Sequence, residues 1–377
     1  MGSRSEVSEM TRAVAPPVAP IGVHMTGSEW FSSNPGGLGR YFSDLFGALR
    51  LVPEVDVTAA AFGTPDPGGS SWGPTGGSTM ARVARSTLDN LLAPTDVVVD
   101  RHFSLFGRPS FGPRGTNPLV VHFHGPWAAE SAVAGSSSRA VLAKKMLERA
   151  RYSGADKFVV LSRHSRTLLV QDYRIPEESI DIIPPGVDLK KFTPSNRVPD
   201  RPTVVCVRRL ETRMGIDVLV RAWPTVVAAH PDALLVIVGE GSQESALKAQ
   251  VESAGITKSV RFEGKATDER LVELYSESSL SVVPTVALEG FGLIALESLA
   301  AGRPPIVTDC GGLPDAVAGL DPSLIVPAGD AQALADRLRS ALNGDIPDSA
   351  ACRTYAEKFT WQVAAERHVG LYRSVTR

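Results

Sequence analysis

Two carboxylates, Glu289 and Glu297, stand eight positions apart in the segment Val282-Val283-Pro284-Thr285-Val286-Ala287-Leu288-Glu289-Gly290-Phe291-Gly292-Leu293-Ile294-Ala295-Leu296-Glu297. The apolar run ends at Pro284, a Gly-Phe-Gly turn follows Glu289, and Leu293, Leu296 and Ala300 then recur at helical spacing. Such a turn offers the free backbone N–H groups of Phe291, Gly292 and Leu293, and amides at the positive end of a helix bind anions. Glu289 just precedes this anion site, and Glu297 lies about one and a half turns into the helix. A carboxylate accepting two hydrogen bonds suits a ribose diol, and one beside a phosphate suits sugar hydroxyls. Two glutamates capping a buried helix start would be the plainer explanation. Against it, Glu297 falls inside an apolar stretch, where an unpaired carboxylate is costly. The chemistry that fits is a pocket for a sugar-nucleotide.

Three further clusters carry candidate chemistry. Gly36-Gly37-Leu38-Gly39 follows a short strand and opens a helix. Alone it is a weak phosphate signal, because glycine also serves turns of positive φ. It is not a dinucleotide fingerprint, since the second strand ends Ala61-Phe62-Gly63 without an acidic residue for an adenosine ribose. His122 and His124 close the strand 119–123 and share one of its faces, with His102 a lesser candidate on the same cleft. No third ligand of obvious spacing accompanies the pair, so no metal is expected. Arg208, Arg209 and Arg213 follow the strand 203–207, where cations suit a diphosphate and a leaving group that gains negative charge. A solvated basic loop is the plainer alternative there.

At the Glu-x7-Glu residues the chain resembles the retaining family 4 (GT4) glycosyltransferases. The continuation Ala301-Gly302-Arg303-Pro304-Pro305-Ile306-Val307, and then Gly311-Gly312-Leu313-Pro314-Asp315, is similar to that family as well. The resemblance runs from about residue 20 to the C-terminus and is strongest over 203–330. It implies the GT-B architecture, two Rossmann-like domains with parallel sheets facing across a cleft. It places Gly36 and Gly37 against the donor diphosphate and the acceptor, and His124 and Glu289 at the donor sugar. It places Arg209, Phe291, Gly292 and Leu293 at the diphosphate, and Glu297 at the ribose. Gly241, in Gly239-Glu240-Gly241-Ser242, and Gly264-Lys265 resemble the turns that contain the nucleobase and ribose. The family pattern of Arg-Leu, three residues, Lys-Gly is broken here, because Met214 stands where the Lys is expected. Arg213 is the substitute expected beside it.

The elements that must position these groups form two α/β series. Strands at 21–25, 55–62, 96–99, 119–123, 157–161 and 181–184 alternate with helices, including 40–50 and 139–152, and residues 63–80 form a long Gly/Pro/Ser loop. Residues 188–202, with Pro194, Pro199 and Pro202, read as a linker. A second series runs from 203, and 354–377 reads as an amphipathic helix that the resemblance returns to the first domain. The expected division is a disordered tail over 1–19, an acceptor domain over 20–187, the hinge 188–202, a donor domain over 203–353 and the final helix. A length of 377 residues fits two domains. The net charge of −2 carries no polyanion-binding footprint, so nucleic acid is not an expected partner. Three widely spaced cysteines exclude a disulfide framework and fit a reducing cytoplasm. A basic strip on the 139–152 helix suggests peripheral contact with anionic lipid at the inner membrane face.

The resulting expectation is a metal-independent retaining transferase. It takes a UDP- or GDP-sugar as co-substrate and a glycan, a lipid-linked sugar or a small natural product as hydroxyl acceptor. A nucleotide-sugar 2-epimerase and a catalytically silent sugar-nucleotide binder are the alternatives on the same fold.

Overall fold

A computed structural model describes residues 19–34, 36–91, 96–102, 105–106, 117–126, 137–195 and 199–376. The expected tail over 1–19 lies outside the described residues except for Ala19, as do parts of the first-domain loops and of the linker. Two wholly parallel sheets organise the chain. The first comprises β1 (Ile21–Glu29), β2 (Val55–Phe62), β3 (Ser70–Ser71), β4 (Val98–Arg101), β5 (Leu119–Phe123), β6 (Lys157–Val160) and β7 (Ile180–Ile182), in the order β3-β2-β1-β4-β5-β6-β7. The second comprises β8 (Thr203–Val207), β9 (Leu234–Val238), β10 (Val260–Gly264), β11 (Leu280–Val283), β12 (Pro305–Thr308) and β13 (Ile325–Val326), in the order β10-β9-β8-β11-β12-β13.

Parallel sheets bury both faces, so their strands read as unbroken apolar runs rather than alternations. Leu234-Leu235-Val236-Ile237-Val238 is such a run, and all but its first residue are buried. Strand order reverses between β1 and β4, and again between β8 and β11. Ligands of open α/β sheets bind outside the carboxyl ends of the strands at such reversals. The loops that follow β1, β4, β8 and β11 are therefore the ones that matter.

The chain returns to its first half at the end. The Val187 amide donates to the carbonyl of Phe359 at 2.8 Å, and helix Trp361–Val375 then packs on helix Gly37–Leu49. Its Tyr372 hydroxyl donates to Asp100 at 2.6 Å. In place of the single helix expected over 354–377 there are two, Ser349–Ala356 and Trp361–Val375. Thr360 starts the second, its hydroxyl accepting from the Val363 amide at 3.1 Å. The loop expected over 63–80 also contains β3 and the first residues of helix Thr79–Leu91. A two-residue strand is too short for alternation to reveal.

Ion pairs join the halves on both sides of the cleft. Arg163 donates to Asp315 from Nε at 2.7 Å and from its backbone amide at 2.6 Å. Asp268 accepts from Arg40 at 2.8 Å and also from Lys191.

Asp100 and Tyr372 are both fully buried. Replacing Tyr372 by Phe removes a donor from a buried carboxylate and is expected to lower unfolding free energy by about 1–3 kcal/mol. Urea titration checks this, and an unchanged midpoint would show that the contact does not hold the last helix down.

Candidate functional site

Backbone geometry comes first in the site. After β11 the chain passes through Leu288 at φ +57° and Gly292 at φ +91°. Positive φ at a leucine costs about 1–2 kcal/mol and needs outside support. Arg213 supplies it twice. Its carbonyl accepts from the amides of Val286 at 3.0 Å and Ala287 at 3.3 Å, and its Nη1 donates to the Leu288 carbonyl at 2.8 Å. Gly292 is required for a second reason, since a Cβ there would lie 2.4 Å from the Leu313 side chain. Helix Leu293–Ala300 begins at this glycine. Among the described residues none accepts from the Phe291, Gly292 or Leu293 amides, so the helix expected after the Gly-Phe-Gly turn is present with its first amides bare.

Glu289 stands at the entrance, with its carboxylate bound by Arg208 Nη2, which also reaches the Thr285 hydroxyl. Both side chains of the ion pair are largely buried, Arg208 at 11% and Glu289 at 13% exposure. Glu297 is buried inside the helix with the Tyr275 hydroxyl close to its carboxylate, and its Oε2 has no hydrogen-bond partner among the described residues. Burial pushes its pKa up to about 7, although the nearby charges of Arg40 and Lys191 act against the rise. The cavity it lines is shared by Arg40, Asp44, Lys191, Asp268 and Trp361, so both halves of the chain and the linker contribute walls.

The first half contributes histidines. His124 follows β5, and its carbonyl comes to 3.4 Å from where a Cβ on Gly290 would sit, which sets it against the Glu289–Gly290 turn. Tyr41 packs edge-on against His124 at 5.0 Å and against Trp361 at 5.5 Å, linking His124 to the wall of the Glu297 cavity. Burial holds His124 well below its ordinary pKa, so its imidazole is neutral, and its Nε2 has no hydrogen-bond partner among the described residues. Behind it His122 lies against Asp100, Nε2 to Oδ1 at 2.9 Å, and stacks on His102 with ring centroids 3.7 Å apart.

A third histidine, which spacing along the chain does not reveal, is thus present in space. His102, His122 and His124 bring ring nitrogens within 4.8 Å of one another. Their planes, however, are inclined by only 21–24°. Lone pairs lie in the ring plane, and nearly parallel rings do not aim them at one point as a tetrahedral ion requires. The donor set fits a stacked, Asp100-anchored support for His124 better than a metal.

Other expected positions fare differently. Neither Gly36 nor Gly37 has positive φ, and a Cβ on either would meet no atom within 4 Å, so open space adjoins both. Arg209 is exposed beside the β8 end. Arg213, expected at the diphosphate, braces the 286–288 loop through Nη1. Gly241 has a packing reason, since its Cβ would lie 2.4 Å from the Leu210 carbonyl, and Gly264 a conformational one at φ +73°. Lys265 is exposed next to it. Sequence reasoning misses Asp100, Tyr41, Arg40 and Lys191 as members of the site. Asp100 carries a usable signal, an acid two residues before His102 at a strand end.

Residues 35–191 match the family described as Glycosyltransferase Family 4, and residues 188–359 that described as Glycosyl transferases group 1. The D-inositol 3-phosphate glycosyltransferase of Corynebacterium jeikeium is 32% identical over 264 residues, 64% of this chain and 63% of that protein. The GDP-mannose-dependent monoacylated alpha-(1-6)-phosphatidylinositol monomannoside mannosyltransferase of Corynebacterium glutamicum is 30% identical over 52% of this chain and 56% of that protein. The chain thus matches less than two thirds of the length of these curated relatives. Among solved structures, sucrose-phosphate synthase from Thermosynechococcus elongatus superposes with a TM-score of 0.71 at 22% identity, covering 94% of this chain and 98% of that one. Anabaena HepE in complex with UDP and glucose gives 0.71 at 16% identity, covering 93% and 99%. With the two family matches meeting near residue 190 and together spanning 35–359, the chain belongs to the family 4 glycosyltransferases and has the GT-B fold.

Proposed function

We propose that the protein is a retaining glycosyltransferase that moves a sugar from a UDP- or GDP-sugar to a hydroxyl acceptor without a metal ion. One observation carries this reading. Two buried polar atoms find no hydrogen-bond partner among the described residues, His124 Nε2 in the first half, whose carbonyl lies against Gly290, and Glu297 Oε2 in the helix that opens with free amides. Buried polar groups are normally satisfied, and such a set marks where a ligand's own polar groups belong. Glu297 would accept from the ribose hydroxyls, and the 291–293 amides with Arg209 would hold the diphosphate. Glu289 and neutral His124 would orient the sugar.

In this reading the bond from the anomeric carbon to the diphosphate oxygen breaks with its electron pair on that oxygen. The acceptor hydroxyl attacks from the same face, and its proton passes to the departing phosphate. Cations and amides stabilise the charge that develops. Closure about 188–202 would exclude water, which competes as acceptor. The names of the curated relatives point to inositol-bearing acceptors as the first to test. Helix Ser138–Tyr152 exposes Leu142 and Met146 near Lys144 and Lys145, which supports peripheral contact with an anionic lipid surface. Among the described residues no helix is long and apolar enough to cross a membrane.

Glycosyl transfer is tested by incubating the protein with UDP- and GDP-sugars and inositol phosphate, then reading the anomeric configuration of the product by NMR. The expected product keeps the configuration of the donor, and inversion would overturn the mechanism. Activity is expected to survive EDTA. Loss on chelation with rescue by Mn²⁺ would assign the diphosphate to a metal instead.

The carboxylate of Glu297 is the binding form, so nucleotide affinity is expected to fall as pH is lowered through about 7. The folded pKa lies above the ordinary value, so the stability carried by the protonated form is lost as pH rises through the same region. Glu297→Gln should flatten the affinity profile and cost about 1.5–3 kcal/mol of nucleotide binding above it. Calorimetry across pH 5.5–8.5, about one and a half units to either side of that pKa, would exclude Glu297 from the site if both proteins gave the same curve.

A further inference from the structure

We propose that Arg208 is the second cation of the diphosphate site, supplying the charge that Met214 lacks. This rests on the nucleotide-sugar reading above and assigns one catalytic residue within it. Met214 is only 4% exposed and packs in the core of the second sheet with Leu210 and Ile216. Arg213, the neighbouring candidate, commits Nη1 to the Leu288 carbonyl. Arg209 is exposed at the strand end.

Arg208 alone of this cationic run reaches the ligand-side turn through a carboxylate. It leaves β8 at the strand reversal and donates from Nη2 to Thr285 and Glu289, both on the loop that leads to the free amides at 291–293. Its Nε is buried and finds no acceptor among the described residues. A guanidinium has five donors in a planar fork, and with both Nη2 hydrogens given to Thr285 and Glu289 its Nε–H and the two Nη1 hydrogens are the donors left for anion oxygens. Glu289 and Thr285 therefore act as a holder that fixes the guanidinium by Nη2 and leaves Nε–H and Nη1 as single donors for an anion. The same carboxylate is read as a sugar-hydroxyl acceptor, so phosphate and sugar recognition meet at one ion pair.

The chemistry makes the position consequential. As the glycosidic bond breaks, its electron pair moves to the diphosphate oxygen, and a fixed cation there is worth more in the transition state than before it. Holding Arg208 by a carboxylate and a hydroxyl also limits its rotamers ahead of binding, so little ordering is left to be done.

The test compares wild type, Arg208→Gln, Arg208→Lys, Glu289→Gln and the Arg208→Gln/Glu289→Gln double variant, with circular dichroism confirming the fold. Calorimetry with UDP and UMP, and with GDP and GMP, measures binding, and sugar transfer measures turnover. Arg208→Gln should weaken the diphosphate by about 10-fold or more while changing the monophosphate less, and should cut turnover by about 10²–10³. Arg208→Lys should recover part of both. The double variant should bind the diphosphate more weakly than Glu289→Gln. If Arg208→Gln weakens diphosphate and monophosphate equally, or the double variant matches Glu289→Gln, Arg208 only holds Glu289 and the proposal fails while the nucleotide site stands. If wild type binds neither UDP nor GDP, the nucleotide-sugar reading falls and takes this assignment with it. Should Arg208→Gln fail to fold, Arg208→Lys decides by the same diphosphate-to-monophosphate ratio, which a structural role leaves at the wild-type value.

Discussion

The constraint on which the site depends is the path of the backbone from Pro284 to Leu293. It must leave a strand, present a carboxylate, and enter a helix with its first amides bare, all within a few residues. That path forces left-handed conformations at Leu288 and Gly292. Leucine tolerates this only because Arg213 holds the loop by side chain and carbonyl together. A second set of contacts closes over it from the 311–312 turn. The Gly312 amide donates to the Glu289 carbonyl at 3.0 Å, and a Cβ at Gly312 would lie 2.1 Å from the Gly290 carbonyl. The Gly311-Gly312 pair is thus there for close approach of two backbones, which ties the 289–290 turn to the chain after β12.

The halves of the chain contribute unlike electrostatics to that turn. The second offers charge and oriented dipoles: helix amides, Arg208, the partly buried Glu289, and Glu297, which titrates near 7. The first offers mostly neutral polarity. Burial holds His124 well below its ordinary pKa and His122 down at about 3. Neutral rings anchored on Asp100 offer both a donor and an acceptor and avoid burying a second uncompensated charge. Asp100 is in turn held by Tyr372 from the last helix, so the C-terminal segment reaches the histidine stack through two contacts, Tyr372 to Asp100 and Asp100 to His122.

Most of the architecture was legible because parallel α/β sheets write themselves into sequence as apolar runs closed by turn residues. The Glu-x7-Glu segment was legible for a different reason: its residue types conflict locally, with a carboxylate inside an apolar helix and glycines beside a strand end. Conflicts of this kind concentrate at functional sites. What escaped was pairing across long separations. Nothing in the chain announces that Arg208 meets Glu289, or that His102 stacks on His122, because both depend on which strands become neighbours. Preferring Arg213 to Arg208 follows sequence proximity to the missing lysine at 214. In the fold, proximity along a 3₁₀ turn at Thr212–Met214 directs Arg213 under the loop, while the strand end directs Arg208 at it.

The same distinction between sequence and space bears on how the cleft stays closed. The ion pairs across it look substantial in number, yet Arg163 is 69% exposed and Asp268 42% exposed. Pairs so open to water contribute about 0–1 kcal/mol each and weaken with salt. The dry contacts on the cleft side are sparser: the His124 carbonyl against Gly290, and Ser162 against Gly312, where a Cβ would lie 2.8 Å away. The larger joining surface is apolar, since one buried cluster contains Val23 and Phe42 of the first half, Phe291 and Leu313 of the second, and Ala365 and Val369 of the last helix. Of the two glycines at this approach only Gly312 is required by it, because a Cβ there would lie 2.1 Å from the Gly290 carbonyl, whereas a Cβ on Gly290 would meet the His124 carbonyl at an ordinary contact distance of 3.4 Å.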